Sequence, residues 1–252
     1  MKLELHALSD IPLIKAQDDL AKIIYKKIEL KDNDVVIIAS TIVAKSENRK
    51  FKIENIVPKK LAIDIANKNQ KDPKFVQAVL DRSKECLIES PMMLVESKSG
   101  LVCINAGIDD SNVENGFLLD LPEDSDKSAF RIGETLKKLT GKKVSIIITD
   151  TNGRAFKIGQ TGVAIGVYGI HPIKDWCGKK DLFGNILEVT KEAVADEIAS
   201  AANLLMGEGD GGVPIILLRG LNMHTDDEVS IAESYRDNSE DVIRKGLRVL
   251  KS

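Results

Sequence analysis

The chain has 252 residues, 43% hydrophobic but only 4% aromatic, with a formal net charge of −3. That length suffices for one large domain or two modest ones built on aliphatic cores. The slight acidity argues against nucleic acid as a partner, because a phosphate backbone calls for a basic face.

In chain order the hydrophobic pattern predicts a strand over Leu3–Ala7, a helix over Gln17–Leu30 and a strand over Val35–Ser40. Helices follow over Lys59–Lys68 and Pro73–Ile88, then strands over Met92–Glu96 and Leu101–Asn105. A helix over Lys127–Leu139 precedes strands over Val144–Thr149 and Gly162–Tyr168. A helix over Lys191–Leu205, a strand over Pro214–Arg219 and a helix over Glu240–Leu250 complete the set. Asp72-Pro73 places a cap before proline at the first helical position, and Gly141 reads as a helix stop. The alternation implies an α/β or α+β fold with mixed sheets. Residues 1–252 read as one functional unit, with the acidic, loop-like stretch Asp109–Asp126 offering a boundary between two subdomains. Gly169–Val189 reads as an irregular insertion.

Cys86, Cys103 and Cys177 are widely spaced, without metal-ligand spacing, which fits reduced, buried thiols. No apolar run approaches the ~20 residues of a membrane helix, and Met1-Lys-Leu-Glu-Leu5 lacks the apolar core of a signal peptide. The expectation is a cytoplasmic protein without a membrane partner.

Three segments carry chemistry. Ser145-Ile-Ile-Ile-Thr-Asp-Thr-Asn-Gly-Arg154 runs from a β-branched strand into an acid, a hydroxyl, an amide, a glycine and an arginine. Loops beyond strand tips are where α/β proteins place their sites. Asp150 and Thr151 offer hard oxygen ligands, and Arg154 offers a planar fork for carboxylate or phosphate. Leu101-Val-Cys-Ile-Asn-Ala-Gly-Ile-Asp-Asp-Ser-Asn112 ends in a second acidic loop, with Asp109 and Asp110. Asn203-Leu-Leu-Met-Gly-Glu-Gly-Asp-Gly-Gly212 ends a helix in a glycine-rich loop carrying Glu208 and Asp210. Each segment alone reads equally as a polar turn, but three carboxylate loops at element ends suggest a metal-phosphate site. Mg²⁺ is usually held by one or two carboxylates plus substrate phosphates, and paired metals clamp a phosphoryl group from both sides.

Other signals are weaker. No Gly-x-x-x-x-Gly-Lys-Ser/Thr motif exists, so this is not a P-loop protein. Gly207–Gly212 has the wrong context for a dinucleotide fingerprint, since it follows a helix and precedes a strand. Its backbone N–H groups can still cradle phosphate, with Gly209 as the position where a side chain would crowd. Lys45, placed just past the Val35–Ser40 strand, is either a phosphate contact or an ordinary solvated lysine. His6, His171 and His224 show no ligand spacing. Trp176 reads first as a structural plug and second as a substrate contact.

Taken in order and with their spacing, these segments resemble the coenzyme F-420:gamma-glutamyl ligase family. The resemblance is carried by Ile11-Pro-Leu-Ile-Lys15, Ser40-Thr41 with Lys45, Phe75-Val-Gln-Ala-Val-Leu80, and Asn105-Ala-Gly-Ile-Asp109 with Asn112. Thr149-Asp-Thr-Asn-Gly-Arg154, Lys174-Asp-Trp176 and Asn203-Leu-Leu-Met-Gly-Glu-Gly209 complete it. The resemblance implies a GTP-dependent ligase that joins L-glutamate to the deazaflavin precursor coenzyme F-420-0 through an acyl phosphate, releasing GDP and phosphate. It implies two Mg²⁺ or Mn²⁺ ions per site, with Asp109 and Asp150 on one and Asp150, Thr151 and Glu208 on the other. It implies guanine-nucleotide contacts at Ile11, Pro12, Leu13, Ile14, Ser40, Thr41, Lys45 and Asn112. Further contacts are implied at Met206, Gly207, Glu208, Gly209, Asp210, Gly211, Gly212 and Val213. K⁺ activation and an unusual two-domain fold forming an intertwined homodimer are implied as well. Arg154 takes a catalytic role from its place alone. Asn185 and Lys157 stand where the family pattern favours arginine. Two rival readings stay open: a divalent-metal-dependent phosphohydrolase, and a non-catalytic guanine-nucleotide-binding module.

Overall fold

A computed structural model describes residues 2–251. Its elements in chain order begin with β1 (Glu4–Ala7), α1 (Leu20–Lys27), β2 (Val35–Ala39), α2 (Ser40–Ser46) and β3 (Lys50–Lys52). Then come α3 (Lys60–Asn69), α4 (Pro73–Asp81), β4 (Ser83–Ile88), β5 (Leu94–Ser97), β6 (Val102–Ile104) and β7 (Phe117–Leu119). The chain continues through α5 (Ser125–Thr140), β8 (Ser145–Arg154), β9 (Lys157–Tyr168), β10 (Lys174–Asp175) and β11 (Lys191–Glu192). It closes with α6 (Val194–Met206), β12 (Ile215–Arg219) and α7 (Val242–Lys251).

The main sheet has the order β1-β12-β2-β8-β9. Only β2 and β8 run parallel within it. Val35–Ile38 of β2 and Ser145–Thr149 of β8 are buried and largely apolar, as strand segments covered on two faces must be. Ile24, Ile38, Leu136, Ile146 and Ile148 pack in one core, against α1 and α5. Ile37, Ile147, Ile198, Ala199 and Ile216 pack in another, against α6. A separate, smaller core gathers Ala62, Ile65, Val76, Val79, Met93 and Val95 between α3, α4 and the antiparallel β4-β5-β6 sheet. The fold is therefore mixed α/β, with parallel and antiparallel pairing in one sheet.

The predicted punctuation is present. Asp72 caps α4 by accepting from the Lys74 N–H at 2.7 Å, and Gly141 ends α5 at φ 69°. Several boundaries differ from the sequence reading, among them the following three. The helix expected over Pro73–Ile88 stops at Asp81, where the Ser83 hydroxyl takes the Val79 carbonyl at 2.6 Å. The remainder becomes β4, because pairing with β5 supplies its backbone partners. Val35–Ser40 does not end in a loop, since α2 begins at Ser40 without a break. The supposed loop after Thr149 is strand, because β8 continues to Arg154 in a hairpin with β9. Gly169–Val189 is largely irregular as expected, apart from a short β10–β11 ladder. There the Trp176 indole donates to Glu192 at 2.8 Å under the Lys174 ammonium.

Candidate functional site

Parallel pairing of β2 with β8 places Ala39, the last residue of β2, opposite Thr149 in the middle of β8, so the sheet opens at the carboxyl end of β2. That is where open α/β sheets place ligands. Ser40, the first residue of α2, and Asp150, the next residue of β8, follow directly, and the Ser40 hydroxyl donates to Asp150 Oδ1 at 3.2 Å. A register shift between Ile148 and Thr149 in the β8–β9 ladder falls just before Asp150. Such irregularities re-aim side chains at site-bearing strand ends.

The segment before β12 arrives at the same level, through the Ala39 N–H bond to the Pro214 carbonyl at 2.9 Å. The segment after β1 does too, through Leu8 N–H to Ile215 O at 3.0 Å. These connections surround a cavity of about 370 Å³. Ile11–Ile14 line one part, with Leu13 exposed and Ile14 buried. Ser40, Thr41 and Lys45 of α2 line another. Asp109, Asn112, Asp150 and Thr151 line it from the acidic loop and β8. The α6 terminus contributes Met206 and the loop Gly207, Glu208, Gly209, Asp210, Gly212 and Val213. Lys45 is not beside a strand tip as expected. It sits in the last turn of α2, where its ammonium donates to the Asn112 carbonyl at 2.6 Å and ties α2 to the acidic loop.

Two residues singled out from the sequence do not line the cavity: Gly211 and Arg154. Arg154 is exposed near the tip of the β8–β9 hairpin, and its guanidinium donates to the Ile158 carbonyl at 3.1 Å. The extension of β8 carries it away from Asp150, because each strand residue advances the chain by about 3.3 Å. Asn185, at the other departure from the family pattern, donates through its amide to Asp181 at 2.9 Å and closes its own loop.

Burial pushes the Asp150 carboxyl up to about 6, and the nearby charges of Asp109 and Glu208 push the same way. Hydrogen bonds from the Thr151 backbone and Ser40 only partly oppose this. No basic side chain pairs with Asp150 among the described residues. Asp109 Oδ1 accepts from the Ser111 N–H at 2.7 Å, and Glu208 Oε1 accepts from the Asn203 amide at 2.9 Å. Among the described residues no three His, Cys, Asp or Glu side chains converge tightly enough to enclose a metal ion by themselves. The donor set nevertheless fits a hard divalent cation. Carboxylate and hydroxyl oxygens share one cavity, and its half-buried Asp150 carboxylate feels like charge from Asp109 and Glu208 without an ion-pair partner among the described residues. Mg²⁺ completes such shells with water and phosphate oxygens.

The glycine-rich loop has a specific backbone demand. Gly207 adopts φ 66°, ψ −177°, a region essentially closed to other residues, and Gly212 has φ 65°. Gly209, the expected crowding point, has no positive φ, and a Cβ there would meet open space. The requirement for glycine therefore falls on Gly207 and Gly212.

Sequence reading missed α2, although Ser40-Thr41 begins it, because its seven residues are too few to show a helical period against the preceding apolar strand. No helix in the described residues is long and apolar enough to cross a membrane.

The F420-0:Gamma-glutamyl ligase family matches residues 9–220. A coenzyme F420:L-glutamate ligase of Methanosarcina mazei is 58% identical over 252 residues, covering 100% of this chain and 99% of that protein. One from Archaeoglobus fulgidus is 49% identical over 248 residues, covering 98% and 99%. One from Methanocaldococcus jannaschii is 42% identical over 217 residues, covering 85% and 86%. With a family match across most of its length and such relatives over nearly all of it, the chain belongs to the F420-0:Gamma-glutamyl ligase family.

Proposed function

We propose that this chain is a GTP-dependent ligase that joins L-glutamate to the deazaflavin coenzyme F420-0. The observation that carries the reading is the cavity at the carboxyl end of β2, beside Thr149–Thr151 of β8. It combines Asp109, Asp150 and Glu208 with a glycine-rich loop and Lys45. The names of the family and of the relatives support L-glutamate and coenzyme F420-0 as substrates.

Amide formation from a carboxylate needs activation. In this reading an oxygen of the acceptor carboxylate attacks the terminal phosphorus of GTP, the bond to the β-phosphate oxygen breaks, and GDP leaves. The glutamate amine then attacks the acyl carbon, loses its proton, and expels phosphate. The protein contributes mainly position and charge. The Gly207–Gly212 backbone offers N–H donors to the phosphates, and Lys45 offers a positive charge held in place by Asn112. Ser40 and the Thr151 N–H orient the Asp150 carboxylate. Asp109 and Asp150 would hold one Mg²⁺ or Mn²⁺, and Asp150, Thr151 and Glu208 a second. Bound there, the cations would neutralise charge developing on the phosphates. K⁺ is proposed as a further activator.

A homodimer belongs to the same reading. Phe156 and Ile158 at the β8–β9 hairpin tip, and Leu182 and Phe183 in the insertion, are fully or almost fully exposed. Apolar side chains grouped at protruding tips mark surfaces that a second copy would cover. Arg154 shares the hairpin tip, so we place its proposed role toward a carboxylate in the dimer rather than in its own chain's cavity.

Incubation with GTP, Mn²⁺, L-glutamate and coenzyme F420-0, read by mass spectrometry, tests the reading. A product heavier by one glutamyl unit, with one GDP per amide, is expected. Phosphate release independent of glutamate and acceptor would favour a phosphohydrolase instead. GTP binding without turnover would favour a binding module.

A further inference from the structure

A second cavity of about 470 Å³ adjoins the β8–β9 ladder. Val163, the cross-strand partner of Asp150, lines it together with Asn152. Alternate residues of a strand share a face at about 7 Å spacing, so Asp150 and Asn152 open toward the same side. The two cavities are thus lined from neighbouring positions of the same strand, Asp150 in the first and Asn152 in the second.

Arg244, in the first turn of α7, lines this cavity with only 5% of its side chain exposed. Nη1 makes both of its ion pairs, to Glu85 at 3.0 Å and Glu96 at 2.8 Å. Nε is buried without a hydrogen-bond partner among the described residues. A guanidinium presents five N–H donors in a fixed fork, and an unmet buried donor is costly. Its unclaimed side matches a carboxylate.

The other charges around the cavity sort themselves. Asp237 is engaged by the Ser239 N–H and hydroxyl, and Asp241 by the N–H groups of Ile243 and Arg244. Arg236 is exposed and makes no ion pair among the described residues. Asp196 accepts one backbone N–H, from Ala164 at 2.8 Å, and makes no ion pair among the described residues. Its burial raises the carboxyl above the ordinary range. One cavity therefore combines a guanidinium with spare donors and a carboxylate without a counter-charge. An inorganic anion would satisfy only the first and a metal cation only the second. The ammonium and carboxylate of an α-amino acid satisfy both.

We propose that this cavity binds the amino-acid substrate, with a carboxylate on Arg244, the ammonium on Asp196 and the second carboxylate of L-glutamate toward Arg236 at the rim. The assignment rests on the ligase reading above. It brings the amine to the strand next to Asp150, where the activated acceptor would be held.

Titration of the full chain with L-glutamate, alongside steady-state KM values, tests this. Asp196→Asn and Arg236→Gln should each weaken L-glutamate by about tenfold or more, the scale of one charge-assisted contact. GTP affinity should stay within about twofold, a change of under ~0.5 kcal/mol. Glutarate, which lacks the amine, should be insensitive to Asp196→Asn, a pattern that a merely structural role would not produce. Unchanged glutamate affinity and KM in both variants would overturn the site while leaving the ligase reading intact. Normal glutamate binding without amide formation on any acceptor would overturn the ligase reading and spare the site. Binding of inorganic phosphate or Mn²⁺ alone at this cavity, in competition with neither enantiomer of glutamate, would also overturn it.

Discussion

The Ser40 hydroxyl donates to Oδ1 of Asp150 at 3.2 Å, although 110 positions separate the two residues in the chain. The parallel β2–β8 pair makes the contact, with Ala39 beside Thr149 and the next residue of each chain segment, Ser40 opening α2 and Asp150 continuing β8, at the same opening. Asp150 is thereby held half-buried near the charges of Asp109 and Glu208, without a paired cation among the described residues.

Asp150→Asn should abolish amide formation while the fold persists, because a neutral amide is a poor ligand for a hard divalent cation. Asp110→Asn, at an exposed neighbour that does not line the cavity, should retain most activity. Turnover of both variants at saturating Mn²⁺ checks the contrast. Equal rates for Asp150→Asn and the unaltered protein would remove Asp150 from the site.

The raised Asp150 carboxyl has a signature in the metal-free protein. Its folded-state value of about 6 lies above the ordinary 3.8, so the folded protein holds this proton more tightly than the unfolded chain. The favourable contribution is present at low pH and lost as pH rises from about 4 through 6, by up to ~3 kcal/mol. Metal-free Asp150→Asn should therefore be more stable than the unaltered protein at pH 7, with the difference shrinking toward pH 4. Urea unfolding across that window reads it. A less stable variant at pH 7 would contradict the assigned cause.

Gly207→Val should weaken GTP by about tenfold or more, since the ψ −177° conformation at positive φ costs a side-chain-bearing residue ~1–3 kcal/mol. Gly209→Ala and Asp210→Ala should do less, because Gly209 has neither positive φ nor a crowded Cβ direction. Calorimetric titration with GTP orders the three. The reverse order would reduce the loop to a helix terminator.

If the acceptor carboxylate attacks the terminal phosphate, one of its oxygens leaves in the phosphate released. Acceptor labelled with ¹⁸O at that carboxyl should yield one labelled phosphate per amide. Amide formation with unlabelled phosphate would rule out the acyl-phosphate route.

Light scattering should return about twice the 27.6 kDa of one chain. Phe156→Ser with Leu182→Ser should lower that mass, because both side chains are fully exposed in the single chain. A single-chain mass for the unaltered protein at all concentrations would contradict the dimer.

Much of this was legible along the chain. The apolar runs at Val35–Ala39, Ser145–Thr149 and Ile215–Arg219 announced central strands, since strands covered on both faces are written as continuous hydrophobic stretches. Asp72 before Pro73 and Gly141 after α5 fixed helix ends by local backbone chemistry. The acidic, hydroxyl and glycine residues of the three loops named the donor types of the site. The tertiary structure decided the rest. Nothing local shows that Ser83–Ile88 leaves α4 for a sheet, because its partners in β5 lie beyond a turn. Nor does the run to Arg154 reveal that pairing with β9 extends the strand and takes the guanidinium out of the cavity. Arg244 gave no signal at all. Its meaning depends on its ion pairs to Glu85 and Glu96 and on Asp196 lining the same cavity, which only the packing of α7 and α6 brings together.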